Sequence, residues 1–236
     1  GKMAGGNDDI SIPDPLIWLT WAAAHSTTIG LGTGILIATQ RNPLITAKEV
    51  ATLDLLSGGR VQLGVGVGWL KEEFDALGVP FGGRGRRLDE YIDVMRALWA
   101  HDQASHHGEL LQFERCISNP KPANGTVPII VGGHTEAAAR RAGLRGDAFF
   151  PGNAKPDEIR HLVAIMRDAA TSAGRDGDAI PIYAMAAGKP GDSMYARIDE
   201  LASVEPGTIE VLGSDLNGEV DLLRFRGSAN GIIGRI

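Results

Sequence analysis

The residues best placed to do chemistry are glycines at the ends of apolar runs. Gly30-x-Gly32-x-Gly34 lies within TTIGLGTGILIA, Gly64-x-Gly66-x-Gly68 within RVQLGVGVG, and Gly132-Gly133 closes VPIIVGG. Glycine at a strand's end lets a ligand approach the backbone, and the N–H groups of a following helix start bind phosphate. The third cluster is physically the strongest, because VGGHTEAAARR sets two glycines before Thr135, a natural N-cap. On the residues alone, a bound phosphate and a tight turn with no ligand both remain open there. The Gly64–Gly68 run is G-x-G-x-G, not G-x-G-x-x-G, and no acidic residue closes a βαβ unit about twenty residues on, so a nicotinamide Rossmann site is disfavoured. No G-x-S-x-G, Walker A or H-E-x-x-H pattern occurs either.

The remaining polar candidates are weaker. His101, His106 and His107 stand near Asp102, but adjacent histidines in a polar loop do not easily face one ion, so a solvated loop and no metal site are expected. Glu72 and Glu73 follow Trp69 at a helix start, where carboxylates complement the dipole. The stretch GGRGRR, Gly82–Arg87, reads as a basic, mobile and solvated loop able to meet an anion. Cys116 is the single cysteine, which excludes an intrachain disulfide and a four-thiolate zinc site.

These residues need elements to hold them. Asp14-Pro15 opens a helix through His25, Ile29–Ile37 reads as one buried strand, and Pro43 begins a helix that stops at Gly58-Gly59. The same pattern follows at RVQLGVGVG with a helix over Leu88–Ala100, and a short hairpin is expected at Glu109–Phe113. Further strands are expected at VPIIVGG, Asp147–Phe150, IPIYAMAA and TIEVLG, with helices at Thr135–Gly143, Pro156–Ala173 and Ser193–Val204. Alternating helices and continuous apolar strands imply a parallel sheet covered by helices, so the class is α/β. Either a closed (β/α)8 barrel or a doubly wound sheet fits, in one domain over 1–236, with about six strands legible against the eight that a barrel needs.

Composition bounds the partners. Lys and Arg number 23 against 29 Asp and Glu, for a net charge of −6, which leaves no electrostatic footprint for nucleic acid or an anionic membrane. The longest apolar stretch, Ile29–Ala38, is far short of the roughly 18–20 residues of a membrane span. No charged-then-apolar leader opens the sequence, so a cytoplasmic location is expected.

LGTGILIATQRNP, AKEVATLDLLSGGRVQLGVGVGWLKEEFDALGVPF, LDEYIDVMRALW, SHHGELLQF, NPKP and VGGHTEAAARRAGLRGDAFFP occur in that order. Together they resemble the bacterial luciferase-like superfamily and, within it, the F420-dependent oxidoreductases of actinobacterial type. The resemblance spans about residues 1–155 and weakens beyond. It implies a (β/α)8 TIM barrel with the cofactor at the C-terminal strand ends. It also implies that the first strands of that barrel are missing from this sequence, together with the acid–histidine pair that some relatives carry there. No catalytic acid is therefore assigned.

The family's bulge with a non-prolyl cis peptide behind the ring corresponds to Gly34–Ile35, with Leu36 and Ile37 continuing the wall. Trp69 and Glu72 would stand on the other side, and Gly132, Gly133, His134 and Thr135 match the phosphate-holding segment. Trp69 occupies the place of a catalytic glutamate in sugar-phosphate-oxidising relatives, which argues against that substrate. The implied function is hydride transfer between F420 and a small organic substrate, in a homodimer. An FMN-dependent monooxygenase and a non-catalytic F420-binding protein are the alternatives.

Overall fold

Asp14 begins the first helix as the residues require. Its carboxylate accepts hydrogen bonds from the amides of Leu16 and Ile17, at 3.0 and 3.2 Å, and pairs with Arg41, while Pro15 takes the first helical position. The structure is a computed structural model that describes residues 13–152, 154–187, 200–201, 204, 209–214 and 223–226. The chain divides into two compact units, 1–129 and 130–236.

In the first unit, α1 (Pro15–Ala24) packs beside α2 (Pro43–Ser57), which Asn42 caps from below Pro43. The expected single strand over Ile29–Ile37 is instead two short pieces, β1 (Leu31–Gly32) and β2 (Leu36–Ile37), both parallel to β3 (Val61–Gly66). A short 3-10 turn, Ala38–Gln40, follows β2. After β3 come α3 (Lys71–Ala76) and α4 (Arg84–Ala100), then an antiparallel hairpin of β4 (Ala104–His107) and β5 (Gln112–Cys116). Val50 and Leu53 of α2, Leu63 and Val65 of β3, Phe74, and Ile92, Met95 and Leu98 of α4 form the buried core.

The second unit has β6 (Ile129–Gly132), β7 (Ala148–Phe150), β8 (Ile182–Ala187) and β9 (Ile209–Ser214), each parallel to the one before it. Then β10 (Leu223–Arg226) returns antiparallel to β9. Thr135 caps α5 (Glu136–Arg145), which packs on α6 (Pro156–Ser172). Arg175 donates to the carbonyls of Ala142, Gly143 and Gly146 and so closes the C-terminal end of α5. The helix expected near Ser193–Val204 lies almost wholly outside the described residues.

Three expectations are corrected. The expected strand Ile29–Ile37 is interrupted at Thr33–Ile35. GGRGRR is no solvated loop, because α4 begins at Arg84; Arg87 is buried and donates to the carbonyls of Pro80 and Gly82. His106 and His107 belong to β4, where His106 Nε2 lies 3.4 Å from the Glu90 carboxylate. That carboxylate also accepts from the amides of Leu110 and Leu111, so Glu90 fastens the hairpin's turn to α4. The turn amides thus satisfy a largely buried carboxylate, whereas His106 Nε2, buried beside it, makes no hydrogen bond.

Burial alone would raise the Asp14 carboxyl, but the Arg41 guanidinium and the Ile17 and Leu16 amides hold it below its usual 3.8. Its contribution to stability is therefore complete above that pH and is lost as the pH falls below it. Asp14→Ala should cost about 1 kcal/mol at pH 7, read as a lower Tm. The gap between wild type and variant should narrow below pH 3.8. A gap of constant size down to pH 3 would contradict the assignment.

Candidate functional site

The site in the first unit starts from a register shift. Leu31 and Gly32 pair with Val61 and Gln62, an offset of 30, whereas Leu36 and Ile37 pair with Val65 and Gly66, an offset of 29. One extra residue is therefore held between β1 and β2, and the Gly34–Ile35 peptide there is cis. This is a β-bulge at the C-terminal end of parallel strands. Thr33 is buried beneath it, and its hydroxyl donates to the Gly64 carbonyl at 2.7 Å.

The glycines of β3 exist to receive that bulge. A Cβ on Gly64 would overlap the Thr33 carbonyl oxygen, and one on Gly66 would overlap the Cδ1 of Ile35. Each lacks a side chain because another strand's backbone or methyl occupies the space. This replaces the sequence reading of those two glycines as a place for a ligand to approach. At Gly34 the opposite holds: the residue is exposed, and nothing lies within 4 Å of where its Cβ would be. The flat peptide surface that a ligand could meet is thus on the bulge and not on β3.

The neighbouring candidates fall into place around it. Ile35 lies across Gly64 and Gly66, Ile37 against Gly68, and Leu36 between them is only 3% exposed. The Thr39 hydroxyl donates to the Val67 carbonyl at 2.9 Å, fixing the strand end. Trp69 follows at once and is 64% exposed, and Glu72 is exposed in the first turn of α3. The bulge and the Gly66–Gly68 segment are thus brought together, with Trp69 and Glu72 exposed beyond that segment.

Sequence reasoning missed the side chains that hold this rim. The Arg84 guanidinium donates to the Gly68 carbonyl at 3.0 Å and lies 3.7 Å from the centre of the Phe81 ring. Gln40 donates to the Glu73 carboxylate at 3.0 Å, across 33 residues. Neither carries a local signal, since an arginine in a glycine-rich stretch looks solvated until its carbonyl partners are known.

In the second unit, the strand-to-helix turn from β6 to α5 has the form expected of it. The Gly133 amide donates to the Phe150 carbonyl at 2.9 Å, and Gly133 sits at φ +138°, with Ala138 2.9 Å from where its Cβ would be. Only glycine fits both conditions. Thr135 Oγ1 accepts from the Ala138 amide, and His134, Thr135 and Glu136 are exposed. Glu136 is drawn to Arg140 and His161. An anion at the helix start would meet a carboxylate already partnered. Among the described residues no group of three or more His, Cys, Asp or Glu gathers as a metal site.

A family model described as luciferase-like monooxygenase matches residues 3–203. An uncharacterized protein of Mycobacterium tuberculosis strain H37Rv is 35% identical over 193 residues, which is 81% of this chain and 67% of that protein. The F420-dependent glucose-6-phosphate dehydrogenase of Mycolicibacterium smegmatis is 31% identical over 71% of this chain and 52% of its own length. The FMNH2-dependent dimethylsulfone monooxygenase of Pseudomonas putida is 29% identical over 74% and 50%. The chain thus spans from half to two-thirds of the length of these relatives.

Among solved structures, an F420-dependent secondary alcohol dehydrogenase matches at 25% identity and TM-score 0.71, over 76% of this chain and 56% of the other. The F420-dependent tetrahydromethanopterin reductase of Methanopyrus kandleri matches in fold, with TM-score 0.74 at 21% identity, over 87% and 83%. The chain belongs to the luciferase-like monooxygenase family, and its α/β fold is the luciferase-like barrel type.

Gly64→Ala should cost about 1–3 kcal/mol or more, because the added methyl has to displace backbone. Gly30→Ala, with nothing within 4 Å of its Cβ position, should stay within about 0.5 kcal/mol of wild type. Thermal melts compare them, and a Gly64→Ala protein as stable as wild type would contradict the seating of the bulge.

Proposed function

We propose that this luciferase-like protein is an F420-dependent oxidoreductase that moves a hydride between the deazaflavin and a small organic substrate, working as a homodimer. The observation that carries the reading is the one-residue bulge at Thr33–Ile35, seated on Gly64 and Gly66 of β3 and open to solvent at Gly34. A planar ring fits against such a peptide, since no Cβ stands in front of it. The F420-dependent relatives support the choice of cofactor, and the FMNH2-dependent relative keeps FMN as the second reading.

Bound F420 would supply a ring carbon that takes or gives a hydride and does not usefully activate oxygen. The protein's own part is positioning. Gly34 and Ile35 would back the ring, with Ile37 and the buried Leu36 stiffening the wall behind them. Trp69 would offer an exposed aromatic face beside it, and Glu72 a carboxylate at the rim. The second unit, taken by itself, presents at Gly132, Gly133, His134 and Thr135 a strand-to-helix turn whose backbone N–H groups at the start of α5 are able to take a phosphate. Thr135 has its hydroxyl turned back to Ala138, so its share is to keep those amides oriented outward.

Parallel titrations with F420 and FMN, followed by cofactor fluorescence, test this. Micromolar or tighter binding of F420, about −8 kcal/mol or stronger, with FMN ignored, is expected. Gly133→Ala should weaken F420 binding about tenfold or more, since φ +138° is strained for alanine. Preference for FMN with oxygen uptake would replace the reading by a flavin monooxygenase. Tight F420 binding with no turnover on carbonyl or alkene substrates would leave a binding protein only.

A further inference from the structure

The peptide after Gly68 decides which way the chain leaves the end of β3. Gly68 sits at φ +74°, and a Cβ there would meet Ile37 Cγ2 at 2.8 Å and the Phe74 ring at 2.9 Å. The backbone is thus squeezed between β2 and α3. A residue with no side chain has the widest choice of backbone angles, so its own chemistry does not fix the next peptide plane. That plane is rigid, with the Gly68 carbonyl on one side and the Trp69 amide on the other. Trp69 follows with its Cα about 3.8 Å from that of Gly68. Whatever holds the carbonyl therefore sets the direction in which the Trp69 side chain departs.

Arg84 is that hold. Its Nε donates to the Gly68 carbonyl at 3.0 Å and its Nη1 to the Phe81 carbonyl at 3.1 Å, while the guanidinium lies over the Phe81 ring. Phe81 in turn meets the fully buried Phe74 of α3 edge-on, with ring centres 5.3 Å apart. The base of the arginine is firm, because Arg84 opens α4, whose Ile92, Met95 and Leu98 are in the core. Arg87, one turn on, holds the Pro80 and Gly82 carbonyls, so the returning limb of the loop does not depend on Arg84. The Gly68 end is the share of Arg84.

We propose that Arg84 is a positioning residue of the redox site, holding the Gly68–Trp69 peptide so that the Trp69 indole stands beside the ring at Gly34. The inference rests on the cofactor reading above for the ring, but not for the hold on Trp69. Trp69 is 64% exposed, so packing does little to fix it, and the peptide that bears it has to be fixed from behind. A guanidinium suits the task, because its Nε and Nη1 hydrogens diverge in one plane toward two carbonyls while its face covers an aromatic ring. A lysine ammonium keeps the charge but has neither the plane nor the fixed donors. Arg84→Lys therefore separates geometry from charge.

Fluorine NMR of protein carrying fluorotryptophan reads Trp69 in the free chain, its line identified among the four tryptophans by its loss in Trp69→Ala. In Arg84→Lys and Arg84→Gln that line should shift or broaden, while the line of Trp99, buried on α4, stays where it was. F420 titrations should give a dissociation constant about tenfold higher in both variants than in wild type, but less than about twofold higher when Arg84→Gln is added to Trp69→Ala. Thermal melts check that each variant is folded. An unmoved Trp69 line overturns the proposal, as does wild-type affinity in Arg84→Lys. So does an Arg84→Gln loss of the same size with and without Trp69, or a Trp99 line that moves as well, since the arginine would then support α4 as a whole. A wild type that ignores F420 sinks the cofactor reading by itself, and the Trp69 line still decides whether Arg84 holds that residue.

Discussion

A strand with one residue too many is the constraint on which the first unit is arranged. Between Gly32 and Leu36 the chain advances four residues while β3 advances three, and the surplus has to leave the plane of the sheet. It can do so only where the neighbouring strand has no side chains, which is why Gly64 and Gly66 stand under Thr33 and Ile35. The result is a backbone surface pushed forward at the strands' C-terminal end, held from below by the Thr33 hydroxyl on the Gly64 carbonyl. In parallel β/α folds that end is where ligands bind.

The surrounding clamps keep the strand ends still. Arg60, just before β3, sends its guanidinium hydrogens to the carbonyls of Ala23, Ser26, Ile29 and Ser57 and to the Ser26 hydroxyl, tying the end of α1 and the approach to β1 together. The buried Asp54 accepts from the amides of Val61 and Ala123 and fixes where β3 begins. At the other end of β3, Arg84 holds the Gly68 carbonyl. Each is a charged group with its hydrogen bonds made chiefly to backbone, the kind of contact costly to leave half formed. Positioning chemistry needs this rigidity, since a hydride passes only between atoms kept in near-attack geometry.

Much of the fold was legible in the sequence because the signals were local. Asp14-Pro15, Asn42-Pro43 and Thr135 mark helix starts by side chain and ring chemistry, and VPIIVGG reads as a buried parallel strand from its composition. The bulge was not legible from periodicity, since TTIGLGTGILIA looks like one uninterrupted strand. It entered through the resemblance, and the structure adds its physical cause in the pairing with β3. The role of GGRGRR was misread for a related reason. Arg84 and Arg87 are structural only through carbonyls at Gly68, Pro80 and Gly82, and burial of such a group is a property of the fold. The approach of His106 to Glu90 was hidden likewise, because the rest of α4 and the link to β4 lie between the two in sequence.

The central claim is that the bulge is where the cofactor's ring rests. Hydrogen–deuterium exchange of the chain with and without F420 addresses it most directly, because backbone amides report contact with backbone. Added protection is expected in peptides covering residues 31–40 and 62–70, with the β4–β5 hairpin unchanged. Saturating F420 that leaves those two peptides exchanging as in the free protein, with protection elsewhere, would contradict it.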